Sequence, residues 1–168
     1  MSKRILIIGN SGAGKSVLGH KLAAVLAIPL VDLDRLHWED TGYARKRDPD
    51  VARQMVAAAA VSDGWIIEGV YGWLADIALP RATDLVWLDL PWDVCREGLM
   101  ARKASTSRPV EDRQELLAWA KAYWGRDTSS SFAGHERIFD NFVGRKLRIN
   151  SRNEVDGLIS RLAGNDRG

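Results

Sequence analysis

The chain has 168 residues, enough for one domain with a sizeable core, and its 46% hydrophobic and 27% charged residues exclude a disordered or fibrous protein. A formal net charge of +2 does not imply a surface coated for nucleic acid and leaves room for a local cationic cleft. The single cysteine, Cys95, excludes an intramolecular disulfide framework and a multi-cysteine zinc site, and no apolar run approaches the ~20 residues of a membrane span, so the expectation is a reduced, cytoplasmic, single-domain protein over 1–168.

In chain order, the run at 5–8 (ILII) ends at Gly9 and suits a buried parallel strand. Val17, Leu18, Leu22, Val25 and Leu26 then recur at helical spacing until Pro29, and 30–33 reads as a second strand. Asp48-Pro49-Asp50 reads as a helix start leading into the alanine-rich 51–61, with a break at Ser62-Asp63-Gly64. A third strand is expected at 65–67, a fourth at 84–90 and a fifth at 146–149 before a helix at 153–163. Strands alternating with helices predict a parallel α/β sheet covered on both faces. The small, polar stretch 104–109 (ASTSRP) interrupts two helical segments.

Residues 9–16 (GNSGAGKS) match GxxxxGK[ST] between a predicted strand and a predicted helix. The residue types serve one purpose. Glycines let the backbone wrap a phosphate chain with its amides pointing inward, and the helix start adds its positive end. Gly9, Ser11, Gly12, Ala13, Gly14, Lys15, Ser16 and Val17 are therefore the expected nucleotide contacts. Lys15 would reach the β- and γ-phosphates, and the Ser16 hydroxyl would join Asp89, at the end of the fourth strand, in holding Mg²⁺.

Asp32 and Asp34 close the second strand beside this loop, and their alternation predicts one shared strand face. Asp34 is the expected group for orienting or deprotonating an acceptor hydroxyl, with Trp38 walling the acceptor pocket. Arg102 and Arg108 flank or lie in the polar interruption and are expected to stabilise a migrating phosphoryl group. Arg96 and Arg81 are weaker candidates, while Arg45, Lys46 and Arg47 read as an exposed charged loop. Trp87 reads as core, Trp119 and Trp124 as packing on a helix, His20 and His135 as structural or exposed, and Cys95 as a small core residue.

Together, GNSGAGKS (9–16), IPLVDLDRLHW (28–38), GWIIEGVYGW (64–73) and RATDLVWLDLPWDVC (81–95) resemble the small P-loop kinases of the adenylate-kinase-like group, and among them the topology-modulation (FlaR-like) proteins. The resemblance covers most of residues 3–103. It implies a three-layer α/β P-loop fold with a five-stranded parallel sheet of order 2-3-1-4-5 and a helical lid around 104–112. It further implies an acceptor pocket between the second and third strands. By position, Asp34 matches the family's acidic residue after the second strand, Arg81 an arginine before the fourth that is expected to contact the acceptor, and Arg102 a basic lid-edge residue. Glu68 stands in the acceptor stretch where relatives carry Asp, and Val70 where they carry Asn. Arg152 falls where adenylate-kinase-like enzymes contact the adenine.

The function expected is an ATP- and Mg²⁺-dependent phosphotransferase acting on a small molecule. The alternative is an ATP-binding regulator with little turnover that acts on DNA topology or a partner. No DNA-binding motif stands in the sequence to support the alternative.

Overall fold

A computed structural model describes residues 2–40, 45–102 and 110–163. Strands β1 (Arg4–Gly9), β2 (Leu30–Asp32), β3 (Trp65–Gly69), β4 (Asp84–Leu88) and β5 (Arg145–Ile149) form one parallel sheet of order β2-β3-β1-β4-β5. Around it lie α1 (Lys15–Leu26), α2 (Leu33–His37), α3 (Pro49–Ala60), α4 (Gly72–Ala78), α5 (Trp92–Arg102), α6 (Val110–Lys121), α7 (Phe132–Asn141) and α8 (Arg152–Ala163). The strand order is the expected one.

The period of two along β1 sorts the core into two layers. Leu6 and Ile8 face Val56, Leu74, Trp87 and Ile138, which places α3, α4 and α7 on one side. Ile5 and Ile7 face Leu18, Leu22, Cys95 and Leu158, which places α1, α5 and α8 on the other. With both faces covered, the central strands need no polar face, which is why ILII reads as a continuous apolar run.

Local chemistry sets the element boundaries. Asp48 caps α3 by accepting from the amides of Asp50 and Val51, with Pro49 in the first turn. The second strand is shorter than expected, because Asp32 turns its carboxylate onto the Asp34 amide (2.8 Å) and caps α2. Asp34 therefore stands in the first turn of a helix and does not share a strand face with Asp32. Likewise β4 stops at Leu88, two residues before the expected end.

Candidate active site

The carboxyl ends of the strands carry the chemistry. In this order the chain leaves β1 with β3 on one side and β4 on the other, and the crevice at such a switch point is where ligands bind open α/β sheets. The β1–α1 loop occupies it. Gly12 and Gly14 have φ of 82° and 91°, the left-handed region that suits glycine. A Cβ on Gly12 would stand 2.1 Å from the carbonyl oxygen of Cys95, so the loop also needs glycine to lie against α5. Asn10 holds the loop from below: its Oδ1 accepts from the Ser11 amide (2.8 Å) and its Nδ2 donates to the Ala120 carbonyl of α6 (2.8 Å).

The start of α1 contrasts with that of α3. Its cap residue is Gly14, no side chain caps it, and its first turn holds no acid. An uncapped helix start behind left-handed glycines suits an anion. Lys15 is buried and donates from Nζ to the Asn10 carbonyl (2.8 Å), so its ammonium lies folded over the loop. Ala13 is buried behind the loop, and Val17 is exposed in the first turn of α1. On the β4 side, Arg152, expected by resemblance to contact the adenine, donates to the carbonyls of Gly12 and Val94 (both 3.4 Å).

Three carboxylates gather on the β2–β3 side. Glu68 and Asp32 are register partners on adjacent strands, and Asp34 follows two residues later. Ser16 donates its hydroxyl proton to Glu68 Oε1 (2.7 Å). Burial pushes the Glu68 carboxyl up to about 7, and Asp32 and Asp34 push the same way against the pull of Lys15 and Ser16.

A cleft of about 690 Å³ opens from the phosphate loop along this side. Ser11 of the loop, Asp34 and Trp38 all line it, as do Val70 and Tyr71 beyond β3 and Arg102 at the end of α5. The cleft thus joins the expected phosphate site, the expected base and the expected pocket wall. His37 also lines it, stacked on Tyr71 at 3.9 Å between centroids. Burial, with Lys46 nearby, lowers its pKa to about 4, so it is a neutral ring at pH 7.

Two expectations are corrected. Arg81 does not reach the acceptor: it donates to the Val61 carbonyl (3.1 Å), and its own carbonyl accepts from Arg4, at the amino end of the sheet opposite the loop. Asp89 is committed to Arg148, whose Nε and Nη2 both donate to its Oδ2 (2.9 and 2.7 Å). Glu68, expected in the acceptor stretch, is instead the carboxylate in contact with Ser16. Arg108 and positions 104–109 of the expected lid lie outside the described residues. Arg96 is exposed on α5, and Cys95 is a buried thiol that burial pushes up to about 11.

Lys46, expected in an exposed charged loop, and Trp119, expected to pack on a helix, also line the cleft, as do Trp73 and Arg113, for which the sequence suggested no role. Lys46 enters because its strand-like bridge to Trp38 folds the 45–47 segment back over α2, with Arg47 donating to the carbonyls of Leu36 and Trp38 (both 3.0 Å). The dense aromatics of GVYGW were the available signal for Trp73. Nothing in the local pattern of α6 separated Trp119 from a packing residue.

No protein-family model matches the chain. An uncharacterized protein of Bacillus subtilis, YqaC, is 28% identical over 155 residues, 92% of this chain and 82% of that one. The shikimate kinase of Corynebacterium glutamicum is 32% identical over 117 residues, 63% of this chain and 68% of the kinase. Among solved structures, shikimate kinase from Acinetobacter baumannii in complex with shikimate superposes with a TM-score of 0.60 at 15% identity, covering 100% of this chain and 97% of that one.

Proposed function

Because this chain belongs to the shikimate kinase family of small P-loop kinases, we propose that it moves the γ-phosphate of ATP onto a hydroxyl of a small acceptor held against Asp34. An ATP-dependent small-molecule kinase is the activity of the family; the acceptor position and the residue roles are our reading. One observation carries it: Ser11 of the phosphate loop and Asp34 line the same cleft, so a phosphate on the loop and an acceptor at Asp34 would meet in it.

The chain's residues divide the work. The amides of the loop 9–16 cradle the phosphates, and Lys15 exchanges the Asn10 carbonyl for phosphate oxygens. Arg152 flanks the nucleotide side of the loop, and Arg102 meets the charge that builds on the transferring group. Asp34 orients the acceptor hydroxyl and takes its proton as its oxygen bonds to the γ-phosphorus and ADP departs. Trp38 walls the acceptor.

Mg²⁺ fits the donor set. Ser16 and Glu68 are hard oxygen donors in contact with each other, and among the described residues no cage of three or more His, Cys, Asp or Glu stands ready. That suits a cation held by one or two protein oxygens, phosphates and water. Bound there, it would neutralise charge on the phosphates. We assign this place to Ser16 and Glu68 rather than to Asp89.

The finer likeness to the topology-modulation proteins rests on 28–38 and 64–73, the two stretches that supply Asp34, His37, Trp38, Tyr71 and Trp73 to the cleft. No helix of the described residues is long and apolar enough to cross a membrane, and we place the enzyme in the cytoplasm, where ATP is abundant.

The test is a screen of small hydroxyl compounds for acceptor-stimulated ADP release. Asp34→Asn should lower kcat with the best acceptor by about 10²–10⁴-fold. Stimulation by none, or full activity of the variant, contradicts the reading.

A further inference from the structure

The walls of the cleft are aromatic to a degree that its phosphate chemistry does not require. Trp38, Trp73, Trp119, Tyr71 and His37 line it, and each is half-buried. They form a connected set: His37 stacks on Tyr71, meets Trp38 and Trp73 edge-on at 5.0 and 5.8 Å, and Tyr71 lies 6.2 Å from Trp119. By contrast, Trp65, Trp87 and Tyr123 are fully buried in the core. Large rings left half-covered around a cavity hold apolar surface in water until a ligand removes it.

The rings are also fixed in place. Arg53 sits over Trp73 (5.1 Å) and Arg126 over Trp119 (4.2 Å), and neither arginine lines the cleft. Arg126 in addition donates to the carbonyls of Trp119 and Ser130, so it ties the Trp119 wall to the cleft residue Ser130. The charges bordering the cleft balance: Lys46, Arg102 and Arg113 stand against Asp34, Asp112 and Glu115 among the described residues. An alicyclic or open-chain polyol acid would prefer a net positive, hydrogen-bonding wall to five ring faces. Arg152, on the far side of the loop, is not part of this cleft, so the rings are separate from the nucleotide flank.

We propose that the acceptor is a planar aromatic or heteroaromatic compound without a phosphate, stacked among Trp38, Tyr71, Trp73 and Trp119, that offers a hydroxyl to Asp34. This rests on the kinase reading above and narrows its substrate class. The hydroxyl oxygen bonds to the γ-phosphorus, the bond from that phosphorus to the β–γ bridging oxygen breaks, ADP leaves, and the hydroxyl proton passes to Asp34. The source of the ring is open between a nucleoside and a hydroxymethyl-arene, and the probes separate them.

The experiment measures ADP release from full-length enzyme with Mg·ATP and three sets of acceptors. The first holds adenosine, uridine, thymidine and 4-hydroxybenzyl alcohol; the second shikimate, gluconate and glycerol; the third AMP and UMP. Stimulation confined to the first set is expected, with the nucleosides or the benzyl alcohol identifying the ring source. Trp119→Ala and Trp38→Ala should each raise KM for that acceptor at least tenfold with a smaller change in kcat, and Trp119→Phe should restore most of it. Stimulation by the second set alone, or by monophosphates and not their nucleosides, overturns the aromatic assignment and leaves the kinase reading standing. Stimulation by none overturns both. An unchanged KM in folded Trp119→Ala, judged by its circular dichroism, overturns the stacking role.

Discussion

Glu68 shows how one residue links stability to chemistry. It is buried at the end of β3, in register with Asp32 and hydrogen-bonded to Ser16. Burial raises its carboxyl to about 7. Unfolded, it titrates near the ordinary carboxyl value of 4.5. Between those values the folded protein binds more protons than the unfolded one, so this contribution to stability is present below 4.5 and is lost as pH rises to 7. Glu68→Gln removes the titration and keeps an acceptor for Ser16. Its melting temperature relative to the natural protein should therefore climb from pH 4.5 to 7 by about 5 °C or more and then level off. Scanning calorimetry checks this, and a difference independent of pH contradicts it. The same replacement should weaken the response of activity to Mg²⁺, because Gln offers the metal site no charge.

The two ends of α1 are built differently. Its amino end serves the phosphate loop, while its carboxyl end closes on Ala27 in the left-handed region (φ 53°), a conformation that glycine adopts without strain. Ala27→Gly should stabilise the protein by about 1 kcal/mol, read as a shift in urea midpoint with an unchanged slope; a loss of stability contradicts it. The elements also divide by how they could be read. The strands and α1, α3 and α8 were legible because apolar runs, Pro49, Asp48 and the glycines act locally. The phosphate loop was legible for the same reason. Helices α2, α4 and α7 were not, since α2 depends on Asp32 turning away from its strand, and α4 and α7 on a contact between distant segments. Gly72 lies so near Ser129 that a Cβ there would meet its carbonyl oxygen at 1.9 Å, and the Gly72 amide donates to Ser130 Oγ. Arg81 and Asp89 were misread because sequence position alone does not say which end of the sheet a residue reaches or which partner it finds.

Across the molecule, one buried chain of hydrogen bonds joins the sheet to the cleft wall. Trp87 Nε1 donates to the Tyr123 hydroxyl (3.2 Å), which lies 2.7 Å from His135 Nδ1, and His135 Nε2 lies 2.8 Å from the Val70 carbonyl. A carbonyl only accepts, so Nε2 carries the proton, Nδ1 accepts from Tyr123, and every polar atom in the chain is matched with His135 neutral. Burial lowers its pKa to about 3. In the unfolded chain it titrates near 6.5, so its contribution to stability is complete above 6.5 and is lost as pH falls toward 3. The natural protein should lose about 5 °C or more of melting temperature relative to His135→Gln between pH 7 and 4.5; a constant gap contradicts the network. Because Val70 and Tyr71 line the cleft, this network holds that wall of the cleft against the sheet that carries the β1–α1 loop. Whether that loop and Asp34 serve one reaction is decided by a crystal structure with Mg²⁺ and a non-hydrolysable ATP analogue. The β- and γ-phosphates should lie within loop 9–16, with Lys15 turned from the Asn10 carbonyl onto them and the γ-phosphate facing the cleft beside Asp34. Phosphates bound elsewhere, or Lys15 still on Asn10 with nucleotide present, would contradict the account.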